Sequence, residues 1–214
     1  MDLAIVIVVF AATLLTANVL GSAYAGTCAV LVSLAACTWR LAAAHLSWRD
    51  LGLRAPTSWP SIGLWLLVLL VASALVALAI IDPMARFAHW APLDLSRFAG
   101  LRSDRRALVM WLLLAWTSAA IAEELVFRGF LISHLQNLWP AMPAGKALAV
   151  LIQAACFGAA HFYLGPRGVA SAVVMGVVYG AVYLASDRNL PALVLAHGVT
   201  DSLSLIAIYA GAAR

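Results

Sequence analysis

ALVMWLLLAWTSAAIAEELVFRGFLIS, residues 107–133, decides how this chain folds. About 20 mostly apolar residues cross a bilayer as a helix, and this run exceeds that length. It also contains Glu123, Glu124 and Arg128. An ionisable group in the hydrocarbon costs several kcal/mol unless it is paired or faces a wet site. At about 1.5 Å per residue, Glu123 sits roughly 25 Å along the helix from Arg106, well inside the span. Glu124 and Arg128 are four residues apart, share a helix face and can form an ion pair that shapes the site. Glu123 is turned about 100° from that pair, so it must find another partner or act.

Similar apolar runs surround this one, near residues 3–20, 23–46, 61–81, 146–163, 167–186 and 190–212. The expectation is an all-α polytopic transmembrane bundle of about seven to eight spans. It forms a single membrane domain over 1–214, with a catalytic-type core at about 107–212. The composition agrees: 65% of the 214 residues are hydrophobic, 10% are charged, and mean hydropathy is +1.00. A soluble domain carries about 25% charged residues. The net charge of +4 comes from singly scattered arginines, so no nucleic-acid partner is expected. Cys28, Cys37 and Cys156 lie in apolar runs without ligand spacing and read as small buried hydrophobes. The N-terminal run has Asp2 and no Lys or Arg before its apolar stretch. It therefore reads as a retained helix, despite a cleavage-like AYAG at 23–26.

Two polar segments interrupt the runs. SWRDLGLRAPTSWPS, 47–61, has interfacial Trp48 and Trp59 and helix-breaking Pro56 and Pro60. DPMARFAHWAPLDLSRFAGLRSDRR, 82–106, mixes arginines with Phe87, Trp90, Leu93 and Phe98, as short amphipathic pieces on a membrane surface do. Both are basic, and strict alternation of spans cannot put both on one side. In the sixth run Ala172, Gly176 and Gly180 recur every four residues, a smooth face for close packing within the bundle.

Polar groups also mark the fifth and seventh runs. CFGAAHFYLG places His161 four residues after Phe157, and PALVLAHGVTDSL places His197 four residues before Asp201. Three helices turned to a common interior would gather Glu123, His161, His197 and Asp201, a set able to hold and deprotonate a water. The same four could instead ligate zinc, although no H-E-x-x-H pair fixes two ligands on one turn. The preferred expectation is that no ion is required and that Asp201 orients His197. His45, His89 and His134 read as ordinary interfacial histidines.

Taken in order, EELVFR (123–128), FGAAH (157–161) and HGVTD (197–201) resemble the E-E-x-x-x-R, F-x-x-x-H and H-x-x-x-N motifs of the CPBP family. This family, also called Abi, includes CAAX prenyl endoproteases and bacteriocin-processing membrane proteins. LGLR at 51–54 resembles it too. The resemblance implies an intramembrane endopeptidase with a cavity among its helices. Glu123 would activate water, and His161 would position water or substrate. His197 and Asp201 would form the oxyanion and substrate side, with Glu124, Arg128 and Phe157 shaping the site. Asp201 departs from the usual Asn, and an ionised acid cannot donate a hydrogen bond. Two other readings remain open on the residues alone: a non-catalytic immunity or scaffold protein of the same fold, and a proton-coupled transporter. The absence of an inverted repeat weighs against the transporter. The expected partners are the lipid bilayer and a peptide or membrane-protein substrate. The expected location is a cell membrane, multi-pass, in a bacterial inner membrane.

Overall fold

The computed structural model describes residues 2–20, 24–55 and 58–212. Ala23, at the start of the cleavage-like stretch, and Pro56 lie outside them. Among the described residues there are helices and no strands. They form seven continuous rods: α1 (Asp2–Val19), α2 (Ala25–Ala43), α3 (Trp59–Phe87), α4 (Arg105–Gln136), α5 (Gly145–Ala160), α6 (Gly165–Ala185) and α7 (Leu190–Tyr209). Within α3 the winding loosens to a π-helix over Val76–Ile81, and within α4 over Ala115–Ile132.

Five rods are long and apolar enough to cross a membrane: α2, α3, α4, α7, and α6 with its leading turn, Phe162–Ala185. The expected first and fifth spans are shorter apolar helices, Leu3–Val19 and Gly145–Ala160. At 1.5 Å per residue each is about 25 Å long, against a hydrocarbon core of about 30 Å. The fifth run was expected to continue to residue 163. It stops at Ala160 because His161 leaves helical geometry and a 3₁₀ turn, Phe162–Leu164, leads into α6.

Local sequence explains the helix starts. Asp104 caps α4, its Oδ1 accepting from the N–H groups of Arg106 and Ala107 at 2.8 and 3.1 Å. Asn189 caps α7 by accepting from Ala192 N–H at 3.2 Å, with Pro191 in the first turn. The core lies along the π-wound part of α4, which packs against α2, α5 and α7 and buries Leu125, Val126, Phe127, Phe130, Leu131 and Ile132.

α5 and α6 pack along each other through the small-residue face. A Cβ on Gly176 would lie 2.9 Å from Ala154 Cα and 3.0 Å from its Cβ. The stripe therefore serves packing within the bundle. Gly176→Val forces side-chain atoms against a neighbouring backbone that cannot rotate away. It is expected to cost about 1–3 kcal/mol and to lower the melting temperature in detergent. An unchanged melting curve would contradict this packing.

The polar segments fold as compact surface pieces. Ser47 holds Asp50 through its N–H and Oγ, both 2.7 Å from Oδ2, which keeps that carboxyl below the usual carboxylate range. The LGLR stretch anchors the α6–α7 turn. Leu51 is buried and its carbonyl accepts from the Tyr183 hydroxyl at 2.8 Å. Arg54 pairs with Asp187 at 2.5 Å. Gly52 has φ +103°, and a Cβ there would lie 1.9 Å from the Arg188 carbonyl oxygen, so only glycine fits. In the second segment α3 continues as helix to Phe87 before a 3₁₀ turn at Ser96–Leu101. Phe98 packs on Trp111, with ring centroids 4.7 Å apart. The cysteine expectation holds for Cys37 alone: Cys28 is exposed and Cys156 half-buried, because the two lie on outward faces of their helices.

Candidate active site

α4, α5, α6 and α7 bring the polar groups together. Glu124 Oε1 is the hub. It accepts from Arg128 Nη1 at 3.0 Å and from His197 Nδ1 at 2.8 Å. Glu124 and Arg128 are fully buried, so the pair expected from the four-residue spacing is present in the core. The Arg128 guanidinium lies over two rings, 4.3 Å from the Phe157 centroid and 5.3 Å from that of Tyr179. A desolvated cation over an aromatic face gains about 2 kcal/mol. Phe157, expected as a site-shaping residue on the His161 face, lies over Arg128.

A carboxylate only accepts, so His197 carries a proton on Nδ1 and turns Nε2 outward. That atom lies 3.6 Å from Asp201 Oδ2 and 4.0 Å from Glu123 Oε2. Asp201, expected to orient His197, lies next to its ring, and Glu124 makes the hydrogen bond to that ring. Glu124 holds the ring at Nδ1, while Asp201 faces the working nitrogen. The reason is the wide winding of α4: successive residues on a π-helix lie closer in azimuth than on an α-helix. Glu123 and Glu124 consequently converge on one imidazole instead of diverging.

Exposure separates their roles. The side chains of Glu123, His197 and Asp201 are 18%, 14% and 33% exposed, whereas Glu124 is at 0%. Glu123, His197 and Asp201 can meet a substrate and Glu124 cannot. Glu123 Oε2 is buried and has no hydrogen-bond partner among the described residues. A buried carboxylate oxygen in that state calls for a donor from outside the protein.

His161 donates from Nδ1 to the Phe157 carbonyl at 2.8 Å, since a carbonyl only accepts. This fixes the tautomer and leaves Nε2 as the free atom. The ring lies against Phe157 on one side and Tyr163 on the other, with centroids 4.5 and 6.0 Å away. His134 makes the same kind of bond, to the Phe130 carbonyl at 2.9 Å, as expected of a structural histidine.

Two participants were not among the expected site residues. Tyr179 packs edge-on to His197, centroids 6.0 Å apart, and covers Arg128. Its only sequence signal is a large aromatic residue beside the glycines of α6. Trp116 donates from Nε1 to Ser202 Oγ at 3.1 Å and lies against Gly198, where a Cβ would meet its ring at 2.6–2.7 Å. This contact seats α7 on α4 one residue beyond His197.

For zinc, the donor set was tested on geometry. Among the described residues no group of three or more His, Cys, Asp and Glu side chains is placed to hold one ion. Both Nδ1 atoms are committed, to Phe157 and Glu124, so each histidine could offer only Nε2.

Residues 105–203 match the family model described as type II CAAX prenyl endopeptidase Rce1-like. This stretch is accordingly similar to the Rce1-like domain of the CPBP family, a family of membrane proteases, and it lies in a chain with five helices long and apolar enough to cross a membrane among its described residues. The match runs from the start of α4 into α7, as far as residue 203, and includes every candidate site residue. No curated protein and no solved structure gives a significant match.

Proposed function

We propose that this protein is an intramembrane endopeptidase that hydrolyses a peptide bond with a water activated by Glu123. The observation that carries this reading is the buried Glu123 Oε2, without a hydrogen-bond partner among the described residues, facing His197 Nε2 at 4.0 Å. A water hydrogen-bonded at about 2.8 Å to each would subtend an angle of about 90°, within the range water accepts. Glu123 removes a proton as that water attacks the carbonyl carbon, then delivers it to the leaving amine. His161 Nε2 accepts from the water and aims it. His197 in its imidazolium form donates from Nε2 to the developing oxyanion. Glu124 holds that ring at Nδ1, and Asp201 faces it at Nε2. The substrate is a peptide or membrane protein reaching a cavity among the helices. The short loops and Ala-, Leu- and Arg-rich sequence favour a bacterial inner membrane as the location. The test is to compare peptides accumulating in cells that express the wild type or Glu123→Gln. Identical peptide profiles would reject the proposal.

No metal has a step in this mechanism. Chelation followed by metal analysis is expected to leave a metal-free, active protein. Zinc bound in stoichiometric amount, with activity lost on removal and restored on return, would overturn that. Asp201→Asn is expected to keep much of the activity, because the ring of His197 stays held at Nδ1 by Glu124 and the amide oxygen still presents an acceptor towards Nε2. Loss of activity equal to that of Glu123→Gln would instead make Asp201 a second essential base.

A further inference from the structure

On the surface where α3 ends and α6 begins, a cavity of about 540 Å³ is lined by Asp82, Ala85, Arg86, His89, Trp90 and Arg167. Asp82 and Arg167 form an ion pair across it, which fixes the Arg167 guanidinium at the wall. The other polar lining groups are donors: the Arg86 guanidinium, the His89 ring and the Trp90 indole N–H. None of these three side chains has a hydrogen-bond or ion-pair partner among the described residues. The single carboxylate in the cavity is already engaged. What fits is an anion with several acceptor oxygens. With two arginines and one aspartate, and His89 neutral, the lining carries one net positive charge. That matches one phosphodiester.

The surroundings separate a lipid from a soluble phosphate. α3 is the most outward-facing of the candidate spans, with 17% of its apolar window buried inside the protein. Leu75, Leu78, Ile80, Met84 and Phe87 are exposed along it, Phe87 at 90%. They form an apolar wall leading to the cavity. Trp90 stands at its rim, a residue suited to the headgroup layer. Basic pockets between helices at a membrane face recognise anionic headgroups.

We propose that this cavity is a binding site for an anionic glycerophospholipid. Arg86, His89, Trp90 and Arg167 hold the headgroup phosphodiester, and the acyl chains run down the exposed face of α3. The cavity shares no lining residue with the proposed active site. The intervening segment is tied down where Asp94 N–H donates to the Leu164 carbonyl at 3.4 Å and Arg97 stacks on Tyr163 at 3.9 Å. A bound lipid would therefore brace this end of the bundle.

The experiment uses the full chain in neutral detergent. Phosphatidylglycerol binding is measured by native mass spectrometry and by the shift in melting temperature. Phosphatidylcholine and inorganic phosphate are run in parallel. The wild type is expected to retain phosphatidylglycerol and to melt several degrees higher with it, and to respond little to the other two. Arg86→Gln removes charge-assisted bonds from an exposed side chain and is expected to weaken phosphatidylglycerol binding about tenfold. Arg105→Gln removes one charge elsewhere on the surface and is expected to leave binding unchanged. Equal binding by wild type and Arg86→Gln would overturn the proposal. Equal weakening by Arg105→Gln would reduce it to diffuse surface charge and overturn it. A shift with inorganic phosphate as large as with lipid would also overturn it, in favour of a soluble-anion site.

Discussion

Glu123→Gln is expected to purify as a folded, membrane-inserted protein and to cleave at least about a hundred times more slowly than the wild type, the low end for loss of a general base. Glutamine has nearly the same shape, so the helix packing around the position is unchanged. The replaced oxygen, Oε2, makes no hydrogen bond within the described protein, and no internal partner is stranded. His197 Nε2 lies 4.0 Å away, and His197 stays fixed through Glu124. What disappears is the ability to take a proton from water, because an amide is not a base at neutral pH. The check is turnover of a defined peptide, with elution profile and melting curve recorded on the same samples. Undiminished turnover by a well-folded Glu123→Gln would remove Glu123 from the role of base.

Glu124→Ala is expected to be the most damaging substitution for stability. One oxygen of Glu124 serves two donors, the buried Arg128 at 3.0 Å and the part-buried His197 at 2.8 Å. Its removal leaves a guanidinium with 1% exposure and no carboxylate. Stranding one partner of a buried pair costs roughly 3–5 kcal/mol. For a chain of this size that lowers the melting temperature on the order of ten degrees. Activity should fall as well, since His197 loses the contact that fixes its ring. Glu124→Gln separates the two effects, because its amide oxygen can still accept from His197 while the charge is gone. It should fall between the wild type and Glu124→Ala in stability. Pairing it with Arg128→Met removes both buried charges and should recover part of the loss. Unchanged melting of Glu124→Ala would refute the hub assigned to this residue.

Much of the site could be read from helical spacing. Glu124 and Arg128, Phe157 and His161, and His197 and Asp201 are each four residues apart within one helix, where the covalent geometry fixes which face each occupies. The resemblance resting on those residues falls within the matched segment, 105–203. Spacing could not show that Glu124 also holds His197, because that contact joins residues 73 positions apart on different rods. Nor could it show Tyr179, which looks like one more apolar residue until α6 is placed against α4 and α7.

The sequence by itself determined that this is a membrane-embedded helical bundle. Continuous apolar runs leave the backbone no polar partners in lipid except its own, so each run must become a helix. It also determined that charges four residues apart would pair. The tertiary structure alone decided which nitrogen of His197 is held and which is free, and that Glu123 and Glu124 converge on that one ring. Both outcomes depend on how far each helix is rotated about its axis. That rotation is set by contacts between helices, such as Gly176 on Ala154 and Gly198 on Trp116, together with the wider winding of Ala115–Ile132. Periodicity along one helix carries no information about its rotation against another.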